Sequence, residues 1–379
     1  MMGSISEKYC IIGVGHTKFG KHPGRTTLEM NVEAIKNAIE DCGINKSEID
    51  AVLCKYPTSN HSMMYSTQVA QAVGIVPKVS GVIDMGGATN INLIQYAITS
   101  MELGQCTTAV ISFADNPLTG SRNAYTHPWG NDGLYGWFGT PPAYGMIAQR
   151  HMDLYGTKSE QLGAIAVAAH KHASLNPNAQ SRKVISIEDH QNSKFIAKPL
   201  HLYDCCLVSD GGAAVIVTSL ENARNLGIKN PVTILGLGQS HPSWDIELRE
   251  EITVSGAKES GRMAFEMAGL RPQDMDFAQI YDCFSIVNLI TLEDYGFCEK
   301  GEGGSFVENG RIELGGSLPV NTSGGLLSET GMPGLQLIIE GVRQLRGECG
   351  ERQVPNARLG VVSNQGGVMT THSTMILGR

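Results

Sequence analysis

Apolar positions along the chain fall into two kinds of segment. Short runs such as Ile11-Ile12-Gly13-Val14-Gly15, Ala109 to Phe113, Thr233-Ile234-Leu235-Gly236-Leu237-Gly238 and Leu359 to Val362 read as buried strands. Between them lie stretches of helical spacing. Glu33 to Asp50 (EAIKNAIEDCGINKSEID) aligns without a gap on Glu259 to Asp276 (ESGRMAFEMAGLRPQDMD), matching Glu33/Glu259, Ala38/Ala264, Glu40/Glu266, Gly43/Gly269 and Asp50/Asp276. Each copy predicts an amphipathic helix stopped by glycine, then a short turn whose acidic residue leads into a strand. Both follow a strand with a glycine-rich end, so the chain reads as a duplicated α/β unit.

A second correspondence lies later in each half. Gly86-Gly87 opens a predicted helix through Leu93, Ile94 and Ile98, followed by the strand at Ala109; Gly331 and Gly334 open another through Leu337, Ile338 and Val342, followed by the strand at Leu359. Helix starts present free N–H groups, so both turns are candidate sites for an anion or a carbonyl oxygen. Asn116 to Gly145 interrupts the first half with Tyr125, Trp129, Tyr135, Trp137, Phe138 and Tyr144 in a Gly/Pro-broken stretch, the composition of a lid, pocket wall or interface. The division expected is 1–230, including an aromatic-rich region over 116–200, and 231–379.

Composition narrows the function classes. Of 379 residues, 41% are hydrophobic and 17% charged, a globular balance. The formal charge of −8, with basic residues scattered, argues against nucleic acid as partner. No apolar run approaches the ~20 residues that cross a bilayer, and MMGSISEKYC lacks a secretory apolar stretch, so a cytoplasmic protein is expected. Nine cysteines without a C-x-x-C predict reduced thiols, with no metal site in this chain.

Five segments carry a family resemblance: GVGHTKFGKHPGRT near the start, DCCLVSDGGAAVIVTS at Asp204 to Ser219, YDCFS at Tyr281 to Ser285, NTSGGLL at Asn321 to Leu327 and SNQGG at Ser363 to Gly367. Together they resemble the thiolase superfamily, particularly the sterol-carrier-protein type. The resemblance implies an α/β duplicated thiolase fold in five layers, αβαβα, generally a homodimer. It also implies where chemistry is missing. The family's nucleophilic cysteine falls at Gly86 of Asp84-Met85-Gly86-Gly87-Ala88-Thr89, and the family's Gly-His-Pro reads Gly331-Met332-Pro333, whose thioether donates no hydrogen bond. The His-Asp-Cys-Phe motif is retained as Tyr281-Asp282-Cys283-Phe284. Cys283 carries over as the acid/base for the α-carbon proton, with Tyr281 as a phenolic donor in place of the oxyanion-hole histidine.

Each candidate also has a structural reading. Cys283 would otherwise be a small buried hydrophobe, Tyr281 the cap of a core edge, and Gly86 and Gly87 close-packing glycines. His372, just past Gly366-Gly367, is either a general base at the pocket floor or a satisfied core histidine. Cys205-Cys206 reads as structural. Coenzyme A is expected as substrate, with no covalently bound cofactor; Arg182, Lys183, Lys194, Lys198 and Gly325 are candidates for binding it, and solvated surface is the alternative for the cations.

Three functions remain open. The first is cleavage or formation of a C–C bond in a bulky β-ketoacyl-CoA, aromatic esters included, by direct attack of CoA, as in a benzoylsuccinyl-CoA thiolase, with Gly86 and Gly87 N–H groups holding the alkoxide. The second is retro-aldol cleavage of a β-hydroxyacyl-CoA. Thiolase-like aldolases use two tyrosines; Tyr281 matches one, and the other aligns at Gly331, with Tyr295 as the nearby substitute. The third is a non-catalytic CoA-ester binding subunit. The family resemblance further implies a small zinc-ribbon/OB-fold partner protein that holds the zinc.

Overall fold

A computed structural model describes residues 5–122, 132–137, 139–243, 246–332 and 334–379. The first half runs β1 (Tyr9–His16), α1 (Thr27–Cys42), β2 (Ala51–Lys55), α2 (Tyr65–Val73), β3 (Val79–Ile83), α3 (Thr89–Glu102) and β4 (Thr108–Asp115). An inserted region follows with α4 (Pro141–Tyr155), α5 (Ser159–Ser174), α6 (Ile187–Gln191) and the hairpin β5 (Phe195–Ala197)/β6 (Leu200–His201), before β7 (Gly211–Ser219) and α7 (Leu220–Asn225) close the half. The second half has β8 (Val232–Ser240), α8 (Ala257–Ala268), β9 (Phe277–Ile280), α9 (Ser285–Tyr295), α10 (Gly303–Phe306), α11 (Gly325–Ser328), α12 (Leu335–Arg346), β10 (Leu359–Gly366) and β11 (Thr371–Gly378).

Among the described residues the main sheet is ordered β3-β2-β4-β7-β1-β8-β11-β10-β9. Outward from the β1–β8 junction, β1-β7-β4-β2 is answered by β8-β11-β10-β9, with parallel β2/β4 matching parallel β9/β10. Three residue pairs, from Tyr9↔Ile234 to Ile11↔Val232, join the halves. Helix α1 packs on β1, β7 and β4, and α8 on β8 and β11. Helices α3 and α12 each touch strands of both halves, so they form a central helical layer between the two arms of the sheet. This is the five-layered α/β arrangement expected.

The repeated sequence positions play the same part in each half. Gly43 and Gly269 both close their helices in the left-handed region, at φ 71° and 66°. The Asp50 carboxylate accepts the Thr107 and Thr108 amides ahead of β4, and Asp276 accepts the Arg358 and Leu359 amides ahead of β10. A Cβ on Gly13 would lie 2.4 Å from the Ala38 carbonyl oxygen, and one on Gly236 2.0 Å from that of Ala264. The glycine within each strand therefore lets its outer helix lie against the sheet. Residues 230 and 231, where the sequence suggested a division, lie in the connection between α7 and β8.

Candidate active site

Parallel strands in an α/β sheet gather their functional loops beyond their carboxyl ends. Here the β3–α3 loop, the β9–α9 loop and the β10–β11 turn meet. Thr371 Oγ1 donates to the Met85 carbonyl (3.1 Å) and Ser373 Oγ to that of Ala88 (2.8 Å), fastening the start of α3 to the terminal hairpin. The end of β9 is held by Asn321, at φ 52°, whose side chain accepts the Ile280 amide (2.7 Å) and donates to the Ile280 carbonyl (2.8 Å). Asparagine tolerates that left-handed backbone and its amide substitutes for a strand edge, which fixes Tyr281 to Cys283 in space.

Gly86 and Gly87 lie in this loop, and both sites are closed to side chains. A Cβ on Gly86, itself at φ +60°, would fall 2.9 Å from Gly366 Cα. One on Gly87 would fall 2.2 Å from the Gln365 carbonyl oxygen and 2.5 Å from Tyr281 Cε2. The Tyr281 ring thus occupies the space next to Gly87. The Gly86 amide donates to Asp84 Oδ1 (2.9 Å), which also pairs with the buried Lys55 Nζ (3.2 Å), so that N–H is already engaged.

Cys283 stands at the N-terminus of α9 and retains part of its surface open to solvent. Burial raises its thiol well above the usual value, and the neighbouring Cys206 adds to the rise. Two donors oppose this. Gln365 Nε2 lies 3.0 Å from the sulfur, and the nearby Tyr144 hydroxyl acts in the same direction. Gln365 Nε2 donates as well to Tyr144 Oη (2.9 Å), which in turn donates to the Gly367 carbonyl (3.1 Å). Asp282, between Tyr281 and Cys283, is fully buried; loss of water pushes its carboxyl up to about 7 against the pull of the Leu326 amide.

Several expectations need correction. His372 is a core histidine: it is wholly buried, with Nδ1 on Ser260 Oγ (2.8 Å) and Nε2 on Ser363 Oγ (3.1 Å), and burial lowers it to about 3. It is not a base at the pocket floor. Gly325 is buried with its Cα against the Asp282 carboxylate, where a Cβ would stand 2.3 Å from Oδ2, so it supports the motif and does not meet a CoA phosphate. No side chain fits at Gly331, since a Cβ would lie 1.8 Å from the Leu207 carbonyl oxygen. Tyr295 is spent on Thr374 (2.7 Å). Cys206, read as structural, donates its amide to the Cys283 carbonyl (2.9 Å) and so flanks the reactive motif. Tyr125, Trp129, Phe138 and Pro333 lie outside the described residues.

The four cations line the inserted region. Lys183 Nζ sits over Tyr203 and 3.4 Å from its hydroxyl, Lys198 Nζ over Phe195, and the Lys194 carbonyl accepts the Leu202 amide. Arg182 is turned back onto the Ser174 carbonyl. With exposed Phe195, Ile196 and Leu202 they make a basic, partly apolar surface around the β5/β6 hairpin.

The sequence singled out neither Gln365, which meets the Cys283 sulfur, nor Tyr144 by itself, which it placed only in a stretch read as a lid, pocket wall or interface. Gln365 lies inside the SNQGG segment, so a signal was present. Tyr144 had none beyond its place in the aromatic stretch, because 139 residues separate it from Cys283 and only the fold joins them.

Residues 238–379 match the thiolase C-terminal domain-like family. Over 90% of its length the chain is 37% identical to 17-hydroxy-3-oxo-4-pregnene-20-carboxyl-CoA lyase of Mycobacterium tuberculosis, covering 92% of that protein. It is 34% identical to an acetyl-CoA acetyltransferase of Methanothermobacter thermautotrophicus over 97% of this chain and 99% of the relative. Among solved structures, the Ltp2-ChsH2(DUF35) aldolase superposes with a TM-score of 0.88 at 34% identity, over 99% of this chain and 98% of that one.

Proposed function

Because this chain belongs to the thiolase superfamily, in its sterol-carrier-protein-2 branch, yet has no room for a nucleophile on the α3 loop, we propose that it is a lyase cleaving a β-hydroxyacyl-CoA by a retro-aldol reaction. Direct thiolysis stood first on sequence grounds. The lyase and aldolase relatives, with closure of residues 86 and 87, reverse that order.

The reaction breaks the β-hydroxyl O–H bond and the Cα–Cβ bond, and forms a carbonyl at Cβ and a C–H bond at Cα. It needs no external thiol and no oxidant. Donors must hold the thioester oxygen as the enolate develops, and an acid must deliver one proton to Cα. Cys283 suits the second of these roles, because burial keeps its thiol protonated until a strongly basic carbanion forms beside it. Tyr281, its ring against Gly87, supplies a phenol at the mouth of α3, whose first amides carry the helix's positive end. The basic surface around Lys183 and Lys198 suits the phosphates of CoA. The observation that carries the reading is that Cys283 and Tyr281 are retained in a site where positions 86, 87 and 331 are all closed to side chains.

A second reading, thiolysis of a bulky β-ketoacyl-CoA such as a benzoylsuccinyl-CoA, draws support from the acetyltransferase relative. Supplying β-hydroxyacyl-CoA esters of sterol or aromatic side chains with no free CoA separates the cases. Release of a ketone or aldehyde supports the lyase. Turnover of the β-ketoacyl ester that requires free CoA supports thiolysis, and turnover of neither, with ester bound, leaves a CoA-ester binding subunit. We further propose a homodimer that works with a zinc-ribbon/OB-fold partner, as the family resemblance implies; the DUF35 component named with the aldolase relative supports a partner chain. We place it in the cytoplasm, in keeping with nine unpaired thiols.

A further inference from the structure

The proton carrier of a retro-aldol site must pass through its deprotonated form. A thiol buried beside a second cysteine and a carboxyl is poorly placed for that. The donors around the sulfur address the difficulty. Both hydrogens of the Gln365 side-chain amide have partners, one toward Cys283 Sγ (3.0 Å) and one toward Tyr144 Oη (2.9 Å). Gln365 Oε1 accepts the Met369 amide (3.1 Å), which fixes which end of the amide faces the sulfur. Tyr144 is 1% exposed and stacked on Phe284 with ring centroids 4.4 Å apart, so its phenol is immobile. Its one hydrogen rests on the Gly367 carbonyl (3.1 Å), while its oxygen and the Cys283 sulfur lie on either hydrogen of the same Gln365 nitrogen, which sets the two side by side.

We propose, resting on the lyase reading, that Tyr144 and Gln365 form a two-donor cradle for the Cys283 thiolate, in which the Tyr144 hydroxyl turns its hydrogen from the Gly367 carbonyl to the sulfur when the thiol proton leaves. The S–H bond breaks as the C–H bond at Cα forms, and the negative charge moves from the enolate to sulfur. There it meets one N–H and one O–H donor fixed before the reaction. The thiolate then takes the proton of the next substrate's hydroxyl as that O–H bond breaks, which restores the thiol before the next Cα–Cβ cleavage, and the Tyr144 hydrogen returns to Gly367. Tyr144 acts through Cys283 and is a positioning residue. The other titratable groups facing this pair are Cys206, Asp282 and Tyr281, with Arg249, bonded to the Val368 carbonyl (2.9 Å), on the Tyr144 side.

The test reads the thiol without substrate, so it stands apart from the fate of the lyase reading. The rate of iodoacetamide alkylation of Cys283 is followed against pH by peptide mass spectrometry, in the full-length protein and in Tyr144→Phe, which retains the stack on Phe284. Loss of a charge-assisted hydrogen bond should reduce the Cys283 thiolate, and the alkylation rate at a given pH, about tenfold or more. Deuterium uptake at Cα of a product acyl-CoA should fall by a similar factor, with KM changed by less than about twofold. In case Tyr144→Phe does not fold, wild-type sequence grown with 3-fluorotyrosine carries a stronger phenolic donor, and alkylation of Cys283 should then quicken at least about twofold. A folded Tyr144→Phe with an unchanged Cys283 pH profile, or an unchanged rate in the fluorotyrosine protein, overturns the cradle. If both respond as stated but no C–C cleavage is found with any ester, the cradle stands and the lyase reading fails.

Discussion

Adding a single methyl group at Gly87 is the sharpest probe of this site. The new Cβ in Gly87→Ala would stand 2.2 Å from the Gln365 carbonyl oxygen and 2.5 and 2.6 Å from Tyr281 Cε2 and Cζ. Ordinary contact needs at least a further ångström. The Gln365 carbonyl is part of β10, where residue 365 pairs with His372 of β11, so the strain falls on the α3 loop and on the Tyr281 ring. Overpacking of this kind costs about 1–3 kcal/mol of stability. Displacing a catalytic group by about 1 Å costs roughly a hundredfold in rate. Thermal unfolding should therefore show a modest loss, while kcat/KM for ester cleavage drops about a hundredfold. Gly86→Cys, which restores the family's nucleophile at its own position, should form no acyl-enzyme by intact-protein mass spectrometry, because its Cβ would fall 2.9 Å from Gly366 Cα at a φ of +60°. Wild-type kcat/KM in Gly87→Ala would refute the claim that the tyrosine ring and this glycine share one space.

Cys283→Ser should reduce turnover at least about a hundredfold without a matching change in KM, the span of a lost general acid; near-normal turnover removes the residue from the chemistry. Asp282 sets a pH dependence of stability. Its carboxyl titrates at about 7 in the fold and at about 4 when unfolded, so the folded chain holds an extra proton between those values and stability declines as pH rises through that window, by about 4 kcal/mol in all. Urea midpoints at pH 5 and pH 8 should differ less in Asp282→Asn than in the wild type, and the comparison cancels the opposite contributions of His16 and His372, both lowered by burial; parallel profiles would dismiss it. His372→Ala should cost about 3 kcal/mol through a cavity and two stranded hydroxyls, yet leave kcat of the folded protein within about twofold. Replacing Lys183 and Lys198 together by alanine should raise KM for the CoA ester about tenfold and weaken its salt dependence with kcat retained; a KM unmoved at low salt places the phosphates elsewhere.

The duplication was legible because each half repeats a local instruction. A glycine-stopped helix and an acidic turn residue appear at matched positions, and the structure uses Asp50 and Asp276 identically to catch the amides ahead of β4 and β10. The YDCF motif and the empty nucleophile position were legible in the same way, as short runs read in order. His372 shows the limit of that reading: the sequence left it as either a general base or a core histidine, and only packing decides, with Ser260 and Ser363 closing both nitrogens.

The chain's order of residues by itself determined the repeated α/β units, the glycine at the nucleophile's position and Cys283 as the candidate acid of a family-like motif, since each depends on neighbours a few positions apart. Tertiary structure decided which atoms surround that sulfur. Tyr144 and Gln365 come to it from the inserted region and from β10, and Tyr281 comes to Gly87 across the interior. Hydrogen bonds and van der Waals exclusion act over about 3–4 Å, a range set by how the layers stack and not by distance along the chain.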